Sequence, residues 1–308
     1  MTRAAHPPAF FVQRGAAVVT ALLLVALVAV VVSGMVWSQH VMLRRLENQS
    51  ALLQLRWVAR GGLEWARVIL AGDAQSGNAD HLGEPWAAGL PPTPLDEALL
   101  EPGARGGEVL GEIRGRIVDL QGRFNVDRLR NGLAVDPENV AIFTALVQGA
   151  GGSAEDAARF AERYVAGQQP ARLAAGEAWL APEQLAAAPE LRAAWPQLAE
   201  RVFWLPRDTR INVNTADSAL LAAALPGVPD ADVQQLAAGR ASAHLREVGE
   251  IRQRLGGEYP DLPVKFFSTD SRYFLVEGEI RFGRLTRSLA WVLERNGRAS
   301  TVLRGRES

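Results

Sequence analysis

The sequence predicts an α+β fold: a long N-terminal helix packed on a small antiparallel sheet, with a large all-α insertion interrupting the sheet along the chain. Three observations carry this. The 22 residues from Ala16 to Trp37 contain no Asp, Glu, Lys or Arg. Strand-like segments occur in two places only, within Glu108–Leu129 and beyond Phe274. Between them, residues 131–262 follow a helical pattern.

Composition sets the outer limits. A chain of 308 residues with 48% hydrophobic and 22% charged residues has material for one large core or two modest ones, which excludes a disordered protein. The net charge of −1 excludes bulk electrostatic attraction to nucleic acid or to anionic lipid. The absence of cysteine excludes disulfides, thiolate nucleophiles and Cys-based metal sites.

The elements follow in order. As a helix, residues 16–38 begin with a run of about 33 Å, enough for a bilayer core. Three fates are open to this run: a secretory signal peptide, a permanent anchor, or an anchor with a cleavage site ahead of it at Gly15. It is longer than a signal-peptide core, and the small-residue site around Val32-Ser33-Gly34 is weak. Arg3 and Arg14 precede the run and Arg44 and Arg45 follow it, so charge asymmetry leaves the orientation open. Leu46, Leu53, Val58, Leu63, Ala66 and Leu70 then continue at helical spacing, and Gly61-Gly62 predicts a bend. Residues 83–107, with Pro91-Pro92, Pro94, Pro102 and Gly106-Gly107, read as loop. Val109, Ile113, Ile117 and Val118 predict a strand, closed by a turn at Gln121-Gly122. Phe274, Val276, Ile280 and Phe282, then Leu285, Leu289, Trp291 and Leu293, alternate on either side of Gly283 as a hairpin. The amphipathic part of the first helix is the surface such a hairpin needs.

Within the insertion, Asp136-Pro137-Glu138 opens one helix, ending near Gly149, and Ser153–Asp156 opens the next as a capping box. Ile211–Arg240 resembles a helix-hairpin-helix (SAM-like) unit, in which a glycine-containing hairpin offers backbone amides to phosphate. Pro229, which has no N–H, and the carboxylates of Asp230 and Asp232 stand where a phosphate would sit, which makes it a packing module and nucleic acid a poor partner.

No Walker loop, nucleophile elbow or HExxH motif occurs, so an enzyme is not expected. His6, His40, His81 and His244 include no pair at ligand spacing and read as surface or packing residues. Asp119, Asp127 and Asp136 offer hard oxygen ligands for calcium, or are simply solvated.

Arg14-Gly15 followed at once by the uncharged run looks like a type IV prepilin processing site. Together with DHLGEPWA (Asp80 to Ala87), DLQGRFNVDRL (Asp119 to Leu129), LPRDTRINVNTADSALLAAALPG (Leu205 to Gly227) and TDSRYFLVEGEI (Thr269 to Ile280), it resembles the K-type minor pseudopilins of type II secretion systems. The resemblance covers nearly the whole chain. Between about Tyr164 and Pro196 the chain departs from the family, whose members carry a longer acidic, Trp- and Asp-containing stretch there. The resemblance implies a pilin-like domain with the helical insertion. It implies cleavage after Gly15 by prepilin peptidase and N-methylation of Ala16. It also implies that Thr20, at the fifth mature position, replaces the Glu most pilin-like proteins carry.

The implied divisions are a cytoplasmic leader at 1–15, a transmembrane helix at 16–38, a first pilin-like part at 39–130, the insertion at 131–262 and final strands at 263–308. The implied location is the bacterial inner membrane, crossed once, with the C-terminal domain periplasmic. The implied partners are the I- and J-type minor pseudopilins, the major pseudopilin, prepilin peptidase and the inner-membrane secretion platform. No cofactor is required, with calcium as an option. A membrane-anchored helix-hairpin-helix DNA receptor is the alternative function.

Overall fold

The computed structural model describes residues 14–96, 109–168, 182–257, 259–283 and 285–307. Leader residues 1–13, the second part of the Pro/Gly-rich stretch and residues 169–181 of the departing stretch lie outside the described residues. The described chain forms two compact units, divided between Trp57 and Val58.

Helix α1 (Arg14–Asp73) is continuous. All residues from Val18 to Ser50 are exposed, including every large apolar side chain between Val18 and Val36. The helix is long and apolar enough to cross a membrane. Gly61-Gly62 does not interrupt it. A Cβ on Gly62 would lie 3.4 Å from Ile113 Cδ1, so this glycine lets helix and sheet approach closely, whereas a Cβ on Gly61 would meet nothing within 4 Å. In the second unit Ala59, Ala66 and Leu70 are buried.

The sheet has five antiparallel strands in chain order: β1 (Leu90–Asp96), β2 (Val109–Asp119), β3 (Tyr273–Phe282), β4 (Leu285–Asn296) and β5 (Ala299–Glu307). Strand β1, LPPTPLD, corrects the loop expected over 83–107. Three prolines are tolerated because it is an edge strand, and its register slips between Leu90 and Thr93, where Pro91-Pro92 sit. Strands β2 and β3 pair Ile113 with Ile280 and Ile117 with Val276. Between these apolar pairs, Arg114–Glu279 (3.1 Å) and Arg116–Glu277 (2.7 Å) form cross-strand ion pairs. Gly283, at φ +56°, lies in the β3–β4 turn as expected, and Gly297, at φ +59°, opens a two-residue turn to β5. The start of β3, Tyr-Phe-Leu-Val, is buried throughout. Tyr273 and Leu275 pack with Leu120, Phe203, Leu205 and Val292, so this end of the sheet is covered on the face that alternation alone would leave wet.

The insertion's helices carry the expected caps. In α2 (Pro137–Gly149) Asp136 accepts from Asn139 N at 3.0 Å, and in α3 (Ala154–Ala166) Ser153 accepts from Asp156 N at 3.0 Å. The left-handed residue after α2 is Gly151, not Gly149. Helices α4 (Ser218–Ala224) and α5 (Asp230–Ser242) flank a hairpin turned by Gly227 at φ +83°. Their apolar faces join α2 and α3 in one core that includes Phe143, Phe160, Leu221 and Leu236. The segment is not helical throughout. Two short parallel bridges, Phe124–Asn125 with Val202–Phe203 and Ile211–Asn212 with Phe267–Ser268, connect it to the residues flanking the sheet.

Candidate functional site

The densest polar structure lies where the end of α1, the β2 exit, the insertion and β4 meet. Asp119 closes β2. Its Oδ1 accepts Gln121 N at 2.7 Å, an Asx turn that starts the Gln121-Gly122 reversal. Its Oδ2 accepts Thr215 Oγ1 (2.6 Å), Ser271 Oγ (2.7 Å) and Asn212 Nδ2 (3.0 Å). Burial pushes the Asp119 carboxyl above the ordinary range, opposed by the bonds from Thr215, Ser271 and Gln121. Gly122 is required here: a Cβ would lie 2.7 Å from Thr215 Oγ1 and 3.1 Å from Thr215 C. Gln121 extends the junction, accepting Arg272 N at 2.8 Å and donating to Arg210 O and Asp270 O at 3.3 Å each.

Beside it, Arg295 of β4 donates to Asp73 Oδ2 (2.8 Å), to both Asp80 oxygens (2.5 and 2.7 Å) and to Ser271 O (2.8 Å), with its guanidinium over the Phe274 ring. Asp80 Oδ2 also accepts Ser271 N at 2.6 Å. Burial raises the Asp80 carboxyl against the pull of Arg295, and it raises Asp73 with help from Glu84. Glu84 Oε2 accepts Trp86 Nε1 (2.8 Å) and His81 N (2.9 Å), and the buried Trp86 ring packs edge-on against Phe274. His81 stacks on His244 of the insertion with ring centroids 3.9 Å apart.

The four stretches that carry the sequence resemblance thus converge. Asp80, Glu84 and Trp86 come from the first, Asp119 and Gln121 from the second, Asn212 and Thr215 from the third and Ser271 from the fourth. Of these, the sequence pattern singled out Asp119 as a possible ligand and Gln121 as a turn residue. Asp73 and Arg295 had no signal, since a single carboxylate at a helix end and one arginine in a strand look like solvated charges. His81 and His244 lie 163 positions apart in the sequence, which concealed their stacking.

The other candidate calcium ligands have separate partners. Asp127 takes a bidentate pair from Arg130 (2.6 and 2.7 Å) and the Tyr164 hydroxyl (2.7 Å), which accepts Trp204 Nε1. Asp136 caps α2. Asp232, one of the carboxylates at the α4–α5 hairpin, accepts the Tyr259 hydroxyl at 2.9 Å. Gly15 and Ala16 lie in the first turn of α1, and Thr20 is exposed one turn later.

Three comparisons bear on this arrangement. The family profile described as type II secretion system (T2SS), protein K, matches residues 211–266, which hold Asn212, Thr215 and the whole α4–α5 hairpin. Type II secretion system protein K of Pseudomonas aeruginosa is 27% identical over 92% of this chain and 89% of its own length. The chain is a relative of type II secretion system protein K. A chain from the crystal structure of the GspK-GspI-GspJ complex of enterotoxigenic Escherichia coli superposes with a TM-score of 0.67 at 20% identity, covering 86% of this chain and 99% of that one. It shares the fold. The α+β architecture is that of the E. coli chain.

Proposed function

We propose that this chain is a minor pseudopilin at the tip of the type II secretion pseudopilus, where it nucleates or caps assembly and so supports export across the outer membrane. The similarity to protein K along nearly the whole chain carries this reading. Membership in a GspK-GspI-GspJ complex, as crystallised from E. coli, supports I- and J-type partners, with the major pseudopilin below them. The exposed apolar run of α1 supports a single inner-membrane span with the sheet and insertion in the periplasm.

Thr20 supports the tip position. A carboxylate at the fifth mature position is tolerable in hydrocarbon only when a neighbouring subunit's N-terminal ammonium pairs with it. A subunit with nobody ahead has no such partner, and threonine avoids the unpaired charge. The insertion is likewise bulky for a position between stacked subunits.

The test is the mass of the N-terminal peptide from membranes with and without prepilin peptidase. A methylated Ala16 seen only with the peptidase is expected. An N-terminus at Met1 or Thr2 would overturn the pseudopilin reading, and one near Met35 would mean a removed signal peptide.

A further inference from the structure

Away from the junction, a cavity of about 510 Å³ opens between the first turn of α2, residues 127–132 and residues 206–210, with Phe266 on its wall. It is large enough for a small ligand. Most of the charges around it are already matched. Asp127 takes the bidentate pair from Arg130, Glu138 takes Lys265 Nζ at 2.5 and 2.6 Å, Arg207 lies 3.2 Å from Glu294, and Asp136 caps α2.

Arg128 is matched poorly. Its side chain is only 8% exposed, and burial disfavours the charged form of its guanidinium. Nη1 donates to Thr209 O at 2.8 Å and to Phe266 O at 3.5 Å, and the guanidinium lies over the Phe266 ring. Nε is buried and has no hydrogen-bond partner. Its ion-pair partner, Asp208 Oδ1, stays 3.6 Å away, beyond hydrogen-bond reach, on a side chain that is 85% exposed.

A second orphan atom belongs to the same cavity. Asn139, 6% exposed, has a buried Oδ1 without a partner. Buried polar atoms left unpaired are rare, and here a donor and an acceptor line one cavity. Sulfate, with no proton, satisfies only the donor. A hydrogen phosphate ion satisfies both, because an ionised oxygen accepts Arg128 Nε–H while its P–OH donates to Asn139 Oδ1. A phosphate monoester, largely doubly ionised at neutral pH, has lost that hydroxyl proton. Asn139 lies in the first turn of α2, where the helix dipole favours negative charge. On the cavity wall Arg210 adds a guanidinium that forms no ion pair among the described residues.

We propose that this cavity binds one hydrogen phosphate ion through Arg128 Nε and Asn139 Oδ1. The ion supplies the counter-charge that Asp208 does not bring into contact. It ties the first turn of α2 to Arg128, which in turn holds Thr209 and Phe266.

The experiment uses the full chain in detergent, in phosphate-free buffer at pH 7, titrated at constant ionic strength with sodium phosphate, sodium sulfate or methyl phosphate. Binding is read by calorimetry, and unfolding by tryptophan fluorescence. Saturable binding of one phosphate per chain and a higher melting temperature are expected. Sulfate and methyl phosphate should bind roughly tenfold more weakly, the effect of one missing hydrogen bond. Asn139→Asp places a carboxylate beside the ion's position, so it should fold, melt no lower than phosphate-free wild type and lose the phosphate response. Asp208→Asn removes a competing carboxylate and should tighten phosphate binding. Full phosphate binding by Asn139→Asp overturns the site, as does a wild type that binds no phosphate. A less stable Asp208→Asn with no gain in phosphate affinity also overturns it, because Asp208 is then itself the partner of Arg128. Sulfate binding as tightly as phosphate overturns the choice of ion, and methyl phosphate doing so replaces the free ion with a monoester.

Discussion

Asp119 accepts four hydrogen bonds, so its value lies in the donors it satisfies. Asp119→Ala leaves Gln121 N, Thr215 Oγ1, Ser271 Oγ and Asn212 Nδ2 without that partner in a place that excludes water. A buried polar group left unsatisfied costs about 1–3 kcal/mol. The hydroxyls can turn elsewhere, so the expected loss is about 3 kcal/mol in total, read as a fall in the urea midpoint at unchanged slope. Gly122→Ala tests the same junction from the steric side. Its methyl would lie within 3.1 Å of Thr215 backbone, and a loss of about 1–3 kcal/mol is expected from the shift this forces. Thr20 is tested by partner binding instead. Thr20→Glu should weaken co-purification with I- and J-type pseudopilins and lower secretion if its unpaired carboxylate enters hydrocarbon. Unchanged assembly and secretion would remove Thr20 from the argument for a tip position.

Among the elements, α1 shows how far periodicity reaches. Its apolar run and amphipathic continuation were legible because a 3.6-residue pattern over tens of residues has few other solutions. The expected bend was not found, because a glycine pair signals either flexibility or close approach, and only the position of Ile113 decides. This gives a test at each glycine. Gly61→Ala, with nothing near its Cβ, should raise stability by up to about 1 kcal/mol through helix propensity. Gly62→Leu should lower it by pushing α1 off β2. A loss in Gly61→Ala on thermal unfolding would restore the bend. Strand β1 was illegible for another reason: its prolines remove donors that only an edge strand can spare, and edge position is a property of the assembled sheet. The β3–β4 hairpin was legible from alternation, and the caps of α2 and α3 from local side-chain chemistry. The junction was legible only as four separate motifs. Asp73 and Arg295 complete it from 222 positions apart, beyond any local pattern.

Across the whole molecule, the junction connects elements that the chain order separates. Thr215 and Asn212 reach it from the insertion, Ser271 from the return to the sheet and Asp119 from β2, so its protonation reports on the docking of all three. The Asp119 carboxyl is raised in the folded state. Between the ordinary carboxylate range and this raised value, the folded chain therefore binds more protons than the unfolded chain. Stability must fall as pH rises through that window. Exposed pairs shift the other way, as Asp156 does beside Ser153 and Arg159, but such surface pairs contribute little. The expected outcome is a melting temperature that rises as pH is lowered through that window and falls once ordinary carboxylates protonate. Asp119→Asn, which cannot titrate, should reduce that rise, with the raised carboxyls of Asp73 and Asp80 supplying the remainder, even if it is less stable at every pH. An Asp119→Asn curve with the same pH dependence as the wild type would mean that the four donors outweigh burial, and that Asp119 remains ionised throughout the range in which the sheet and insertion are docked.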